Sequence, residues 1–120
     1  MYKRQCEGDS KGPAISWKGI DENLYYFISE DKYYQDVSGC GNTIAANRGL
    51  VRKLIIESLK CWASEFGVDG FRFDLGIALS RGENLSPLDN PPIFEDIECE
   101  PELVDIKFIS DHGIVVVYTN

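Results

Sequence analysis

The chain has 120 residues, 43% of them hydrophobic, which allows at most one modest domain with a core of limited size. Twenty acidic residues against twelve basic ones give a net charge of -8, and the basic residues are scattered along the chain, so nucleic acid is not expected as a partner. No apolar stretch approaches the ~18 residues that cross a bilayer, and the start lacks the apolar segment of a secretory signal, so no membrane association is expected.

The cysteines and the single histidine do not form a metal-binding pattern. No Cys-x-x-Cys pair occurs, and the four cysteines are far apart in the sequence: Cys6, Cys40, Cys61 and Cys99. We therefore expect reduced thiols, no metal site and no cofactor.

The order of elements along the chain predicts an α/β fold. Residues 1–48 carry turn formers and aromatics without a sustained period and are predicted to be a long loop. Residues 49–66 form an amphipathic helix pattern that ends at Gly67, a favoured C-cap residue. The predicted apolar face of this helix comprises Leu50, Val51, Leu54, Ile55, Ser58 and Trp62. A short strand (VDGFRFDL), a polar loop, a second helix (IFEDIECEPELV) and a second strand (DIKFIS) follow, and this order is typical of parallel strands covered by helices.

Arg72 and Asp74 stand two residues apart in the first strand and therefore point to the same side of it. Burying an unpaired charge is costly, so we expect the two side chains to neutralise each other. Two interpretations follow. The pair either only orients the strand, or it keeps Asp74 ionised as a nucleophile at a strand C-terminus, where α/β barrels carry their chemistry.

The stretch VDGFRFDL resembles the nucleophile-bearing strand of glycoside hydrolase family 13, the α-amylase family. Together with GIDENLYYF, DVSGCGNT and the helix LIIESLKCWASEF, it is similar to isoamylase-type debranching enzymes over about residues 12–111. The resemblance implies a partial (β/α)8 barrel, with about two strand-helix units after a long loop, and hydrolysis of α-1,6 branch points in starch or glycogen. It implies the nucleophile position for Asp74, a holding role for Arg72, and substrate binding by Asn42, Asn47 and Asp69.

Two departures from the family pattern affect the expected chemistry. Retaining glycosidases use two carboxyl groups about 5–5.5 Å apart. The acid position, a glutamate in the family, carries Asp111 here. Its side chain is one methylene shorter, and a displacement of about 1 Å at the reacting group can cost on the order of a hundredfold in rate. The family's Asn-Thr-Leu-Asn-Cys-Asn-His-Pro segment is also altered, at Ala45, Ala46, Arg48 and Gly49.

Both ends of the chain depart from the family. Residues 1–5 (MYKRQ) are expected to be the translation of a sequencing adapter, and residues 12–111 to be a fragment of the catalytic barrel. Residues 112–120 read as a frameshifted form of the family's Pro-Trp-Asp-Cys-x-Gly-Leu-Tyr continuation, so His112 is given no function.

The resemblance and its departures together favour the non-catalytic second isoamylase isoform of plants. The expected function is that of a regulatory or glucan-binding subunit in starch metabolism, located in the plastid and assembled with a catalytic isoamylase, with branched α-glucan as its ligand. The alternative is an active α-1,6-glucan debranching hydrolase in which Asp111 serves as the acid. A third hypothesis is that the chain is an unrelated small α/β binding domain.

Overall fold

The computed structural model describes residues 16–109 and 114–119, which form a mixed α/β arrangement of three helices and one three-stranded sheet. The helices are α1 (Lys18–Tyr25), α2 (Gly49–Ser64) and α3 (Pro92–Glu98). The strands are β1 (Gly70–Phe73), β2 (Leu103–Ile109) and β3 (Ile114–Thr119). Two short 3-10 turns, Gly76–Ser80 and Glu83–Leu85, lie between β1 and α3. The predicted order of helix, strand, loop, helix and strand is confirmed between residues 49 and 109.

The C-terminal cap of α2 follows the sequence prediction. Gly67 has a φ of 63°, the left-handed conformation that glycine adopts without steric cost. Its N–H donates to the carbonyl of Ala63 at 3.1 Å, and the N–H of Val68 donates to Trp62 at 3.2 Å. These bonds satisfy two of the last carbonyls of α2, which have no partner within the helix itself.

The face that α2 buries is only partly the one predicted. Val51, Ile56 and Leu59 are buried. Four large apolar side chains in and just after α2 are exposed, and the first three of them belong to the predicted core face: Leu50, Leu54, Trp62 and Phe66. Because α2 carries apolar residues on two sides, its sequence periodicity alone does not say which side faces the sheet.

The sheet is antiparallel, so the predicted parallel pairing of the strands is wrong. β3 lies in the middle and pairs antiparallel with both β1 and β2. β1 and β2 consequently run in the same direction but are not neighbours. The difference arises because residues 114–119 (IVVVYT), a β-branched and aromatic run of high strand propensity, add a strand that the two-strand prediction did not include.

One face of the sheet packs on α2 and α3 and forms the core. The central strand contributes Val117 and β2 contributes Leu103, while Phe71 and Phe73 of β1 pack against the same cluster. The helical members of the cluster are Ile56, Leu59, Ile93, Phe94 and Ile97. The opposite face carries the exposed side chains of Arg72, Asp105, Lys107 and Tyr118. An antiparallel sheet with one solvated face is stable in this arrangement, and it differs from a parallel sheet that is covered on both sides.

Residues 16–48 contain more structure than the predicted long loop. α1 is present, although it is interrupted at Asp21, where φ is -158°. Tyr26 and Tyr34 are buried and pack edge to face, with their ring centroids 5.6 Å apart. Lys18 is also buried, and its Nζ lies 4.1 Å from the centroid of the Tyr34 ring. A cation over an aromatic face recovers part of the hydration lost on burial.

Candidate functional site

Arg72 and Asp74 lie together at the C-terminal end of β1, as the sequence spacing predicts. Nη2 of Arg72 is 3.5 Å from Oδ1 of Asp74. The pair is not buried, since the two side chains are 64% and 84% exposed. The expectation of a buried charge is therefore wrong, and the reason is that none of the three helices described above packs on this side of the sheet. An ion pair this exposed contributes only about 0–1 kcal/mol.

The chain turns sharply directly after Asp74. Leu75 adopts the left-handed conformation, with φ 52° and ψ 46°, and the 3-10 turn Gly76–Ser80 follows. A β-carbon in this conformation costs roughly 1–2 kcal/mol. This turn follows Asp74 immediately and so ends the strand beside the exposed ion pair.

Asp69 lies just before β1 and its side chain is exposed. Its backbone carbonyl accepts a hydrogen bond of 3.1 Å from the N–H of Thr119. Asp69 thus lies at the opposite end of β1 from Asp74.

Asn42 belongs to a loop organised by Asp36. The Asp36 carboxylate accepts hydrogen bonds from the backbone N–H groups of Ser38, Gly39 and Gly41 at 2.8, 2.9 and 2.9 Å. Burial alone would raise the pKa of Asp36, but the hydrogen bonds from Gly41, Ser38 and Gly39 outweigh it, so this pKa lies below its ordinary value. The Ser38 hydroxyl in turn donates to the carbonyl of Asn42 at 2.7 Å. The loop that carries Asn42 is therefore fixed by its own hydrogen bonds.

Asn47 and Arg48 bind the same carboxylate, that of Glu83. Asn47 Nδ2 donates to Oε1 at 3.0 Å, Arg48 Nε donates to Oε1 at 3.1 Å, and Arg48 Nη2 donates to Oε2 at 3.0 Å. The hydrogen bonds from Arg48 and then from Asn47 hold the pKa of Glu83 below its ordinary value. Oδ1 of Asn47 is buried and has no hydrogen-bond partner.

The third nitrogen of Arg48 binds backbone carbonyls at the end of α1. Nη1 donates to Asn23, to Leu24 at 3.1 Å and to Tyr26 at 3.2 Å. α1 has no basic residue in its last turn, so Arg48 supplies the positive charge that its C-terminal carbonyls favour. We call Arg48, Glu83 and the side-chain amide of Asn47 the Arg48 clamp. It joins α1, the start of α2 and the 3-10 turn Glu83–Leu85.

The structure thus brings Arg72 and Asp74 together, and separately engages Asn47 in the Arg48 clamp. The predicted acid position, Asp111, and residues 1–5 and 112–113 lie outside the described residues. Glu83 and Asp36 were missed by the sequence reasoning. The Asp36 loop could have been found from DVSG, because Asp followed by Ser and Gly is a turn signal. Glu83 could not, because its partners are 35 and 36 residues away in the sequence.

A groove of about 260 Å³ lies between α2 and α3, away from the predicted site. It is lined by Gly49, Lys53, Ile56, Glu57, Asp96, Cys99 and Glu100. Ion pairs cross between the helices here, with Arg52 Nε 2.7 Å from Asp96 Oδ2 and Lys60 Nζ 3.3 Å from Glu100 Oε2. The groove is therefore accounted for by helix packing and contains none of the predicted catalytic or substrate-binding residues.

Within residues 16–109 and 114–119, no three His, Cys, Asp or Glu side chains are grouped so that they could hold a metal ion. In the same residues, no helix has the length and apolar character required to cross a bilayer. Cys40, Cys61 and Cys99 are free thiols.

Most of the chain is similar to isoamylases and glycogen debranching enzymes. Isoamylase 1, chloroplastic, of Oryza sativa subsp. japonica is 35% identical over 130 residues, which cover 92% of this chain and 16% of the relative. Isoamylase 3, chloroplastic, of the same plant is 39% identical over 114 residues, covering 92% of this chain and 15% of the relative. A glycogen debranching enzyme of Yersinia enterocolitica is 30% identical over 111 residues, with 92% and 16% covered. The chain thus spans about one sixth of the length of these curated relatives. No protein-family model matches it.

Proposed function

We propose that this chain is part of an isoamylase-type protein of glycoside hydrolase family 13 that acts in the metabolism of starch or related α-glucans. The observation that carries the proposal is the similarity of 92% of the chain to proteins named isoamylase, at 35–39% identity. Residues 12–111 would belong to a (β/α)8 barrel in the longer protein, with β1 and β2 as two of its strands. The whole protein would bind branched α-glucan.

The proposed role is non-catalytic, as a regulatory or glucan-binding subunit. Arg72 and Asp74 are retained, but hydrolysis with retention needs a second carboxyl group about 5–5.5 Å from the first. Asp111 occupies the acid position in the sequence and is shorter than the glutamate of the family pattern. The loss of a general acid typically removes 10²–10⁴-fold in rate. Arg48 supports the same proposal, because it stands in the altered segment of the family pattern. Its guanidinium is engaged by Glu83 and by the carbonyls of α1, so it does not replace the missing polar group.

The residues proposed to bind glucan are Asn42, Asn47 and Asp69. Asn42 sits in the loop held by Asp36, which would keep it in one position for a ligand. Asn47 has one amide oxygen without a hydrogen-bond partner, although its nitrogen is engaged by Glu83. Asp69 is exposed at the start of β1 and so is accessible to a polar ligand.

We further propose a plastid location and assembly with a catalytic isoamylase. The plant relatives are named chloroplastic, whereas the Yersinia relative is bacterial, so the location rests on the plant relatives alone. Residues 1–5 and 112–120 are proposed to be an adapter translation and a frameshifted tail. Sequencing the transcript on both sides of these residues tests that assignment directly.

The alternative is an active debranching hydrolase. In that case Asp111 would protonate the leaving oxygen, while Asp74 would attack the sugar carbon. The retained Arg72 and Asp74 pair is the observation that favours it.

The deciding experiment uses the longer protein that carries residues 12–111, assayed alone. Binding to a branched glucan is measured by affinity electrophoresis, and hydrolysis is measured by the release of linear chains. We expect binding without turnover, and the same result for Asp74→Asn. Turnover that Asp74→Asn abolishes would establish the active enzyme. Absence of both binding and turnover would reject a role in glucan metabolism.

A further inference from the structure

The side-chain amide of Asn47, one of the groups proposed to bind glucan, is already engaged within the chain. Its Nδ2 donates to Oε1 of Glu83 at 3.0 Å. Its Oδ1 is buried and has no hydrogen-bond partner among the described residues. A hydroxyl bound by an asparagine amide accepts from the nitrogen or donates to the oxygen. Since Nδ2 is used and Oδ1 is shielded, Asn47 can bind a sugar only after this contact has opened.

Arg48 holds Glu83 on this amide. Its Nε and Nη2 donate to the two oxygens of the Glu83 carboxylate at 3.1 and 3.0 Å. Its Nη1 donates to carbonyls at the end of α1, so the guanidinium keeps partners when the carboxylate leaves. The Glu83 side chain is 59% exposed. Because exposed side chains change rotamer rapidly and without unfolding, the carboxylate can leave Asn47 while Arg48 stays in place.

The turn that carries Glu83 has unfavourable features that a rearrangement can relieve. Asn84 and Leu85 both have a φ of 58°, a left-handed conformation that is uncommon for residues other than glycine. Shortly before them, Nε of Arg81 is buried without a hydrogen-bond partner, as is Oδ1 of Asn47. Strained backbone and unpaired buried polar groups concentrate at sites that bind ligands or change conformation. The contact between Glu83 and Asn47 is therefore one that a ligand can replace.

We propose that Glu83 belongs to the glucan site as an internal competitor: its carboxylate occupies the Asn47 amide, and glucan binding displaces it. This inference rests on the proposed function, which assigns Asn47 to glucan binding. After displacement, Nδ2 donates to one sugar hydroxyl and Oδ1 accepts from another, and adjacent hydroxyls of a glucose unit supply both groups together. Glu83 therefore lowers the affinity of the site for glucan.

The affinity of the longer protein that carries residues 12–111 tests this competition. Its binding to a branched glucan is measured by affinity electrophoresis for the unchanged protein and for Glu83→Ala, Glu83→Gln and Asp89→Ala. Glu83→Ala should bind about 2–10-fold more tightly, since one hydrogen bond no longer has to be broken. Glu83→Gln should show a smaller gain, because its amide oxygen still accepts from Asn47. Asp89→Ala removes an exposed acidic side chain farther along the same segment and should not change the affinity.

A double variant shows whether the gain acts through Asn47. Combining Asn47→Ala with Glu83→Ala should abolish the gain, and Asn47→Ala alone should weaken binding by a smaller factor than it does in the Glu83→Ala background. A gain that persists in the double variant would overturn the proposal. Unchanged or weaker binding by Glu83→Ala would also overturn it, because Glu83 would then be neutral or would itself support the ligand.

A second measurement does not depend on glucan. In the 120-residue chain, the side-chain NH2 resonance of Asn47 is assigned by its absence from the spectrum of Asn47→Ala. Glu83→Ala should shift this resonance and speed its exchange with solvent, because the amide loses its acceptor. An unmoved resonance would show that Glu83 does not occupy the amide and would refute the proposal. If no variant of the longer protein binds glucan, the proposed function fails and glucan is rejected as the competitor, while the NH2 resonance still decides whether Glu83 holds Asn47.

Discussion

The guanidinium of Arg48 binds both carboxylate oxygens of Glu83, with Nε 3.1 Å from Oε1 and Nη2 3.0 Å from Oε2. The arginine side chain is 25% exposed and the glutamate 59%. Since the remaining Arg48 nitrogen binds carbonyls at the end of α1, one residue connects three segments that are distant in the sequence. Position 48 is one of those at which the chain departs from the isoamylase pattern that its sequence resembles.

Replacing Arg48 should lower the free energy of unfolding more than replacing Glu83. Arg48→Met should lower the free energy of unfolding by about 1–3 kcal/mol, because the part-buried carbonyls of Leu24 and Tyr26 and the Glu83 carboxylate lose their donor. Glu83→Gln should cost at most about 1 kcal/mol, since the glutamate is solvent-screened and Arg48 keeps its carbonyl partners. Urea denaturation followed by tryptophan fluorescence measures both. Equal losses would mean that the carbonyl contacts contribute nothing.

The Arg72 and Asp74 pair should be nearly neutral for stability. Arg72→Met and Asp74→Asn should each change the free energy of unfolding by less than about 1 kcal/mol, because both side chains are mostly exposed. Removing one partner of a buried pair would instead cost about 3–5 kcal/mol. The same urea assay separates the two cases, and a loss in the larger range would show that this face of the sheet is covered.

Two glycines provide a matched test of the β1 and β3 contact. Gly70→Ala should destabilise the chain by about 1–3 kcal/mol, since the new β-carbon would meet the Val117 carbonyl oxygen at 2.9 Å. Gly49→Ala is the control. It starts α2, and a β-carbon there would meet no atom outside its own turn of helix within 4 Å. The change should therefore be neutral or stabilise by up to about 1 kcal/mol. Thermal melts of the two variants should move in opposite directions, or only the Gly70→Ala melt should move.

Acid should destabilise the fold through Glu83 and Asp36. Both have a folded-state pKa below the ordinary value, so their contribution is complete above their unfolded pKa values of about 4.3 and 3.9 and is lost as the pH falls through the folded values. Urea midpoints should be level from pH 6 to pH 8 on this account and fall below about pH 5.

Glu83→Gln and Asp36→Asn should each reduce that decline, because the removed group no longer takes up a proton on unfolding. Leu50→Ala, an exposed apolar residue, is the control and should leave the slope unchanged. If neither acidic variant alters the slope between about pH 5 and pH 3, other carboxylates govern the acid transition.

Local signals in the sequence were sufficient for the elements that depend on local interactions. The helical period and Gly67 predicted α2 and its end. Pro92 is the first residue of α3, a position at which the missing N–H of proline would have no partner within the helix. α1 was not predicted because it is short and is interrupted at Asp21. Oδ1 of Asp21 accepts a hydrogen bond from the N–H of Leu24 and so caps only the last turn of this helix.

The candidate site was predicted only in part, because only some of its contacts are local in the sequence. The spacing of Arg72 and Asp74 placed them on one side of β1, because alternation along a strand is a local property. Their exposure depends on which face of the sheet α2 and α3 cover, and this is decided by nonlocal packing. The Arg48 clamp is likewise nonlocal, since its contacts span 22 to 36 residues.

The position of β3 also has a consequence for the time course of folding. The central strand of the sheet follows both of its neighbours in the chain, and the hydroxyl of Thr119 closes a contact with Val68 across 51 residues. During synthesis, β1 and β2 therefore leave the ribosome before the strand that satisfies their backbone groups exists. Long-range pairing is slow, and unpaired strand edges invite association with other chains. Until Val117 reaches the core, these strand edges stay unpaired, so the incomplete chain should be more prone to association than the complete one.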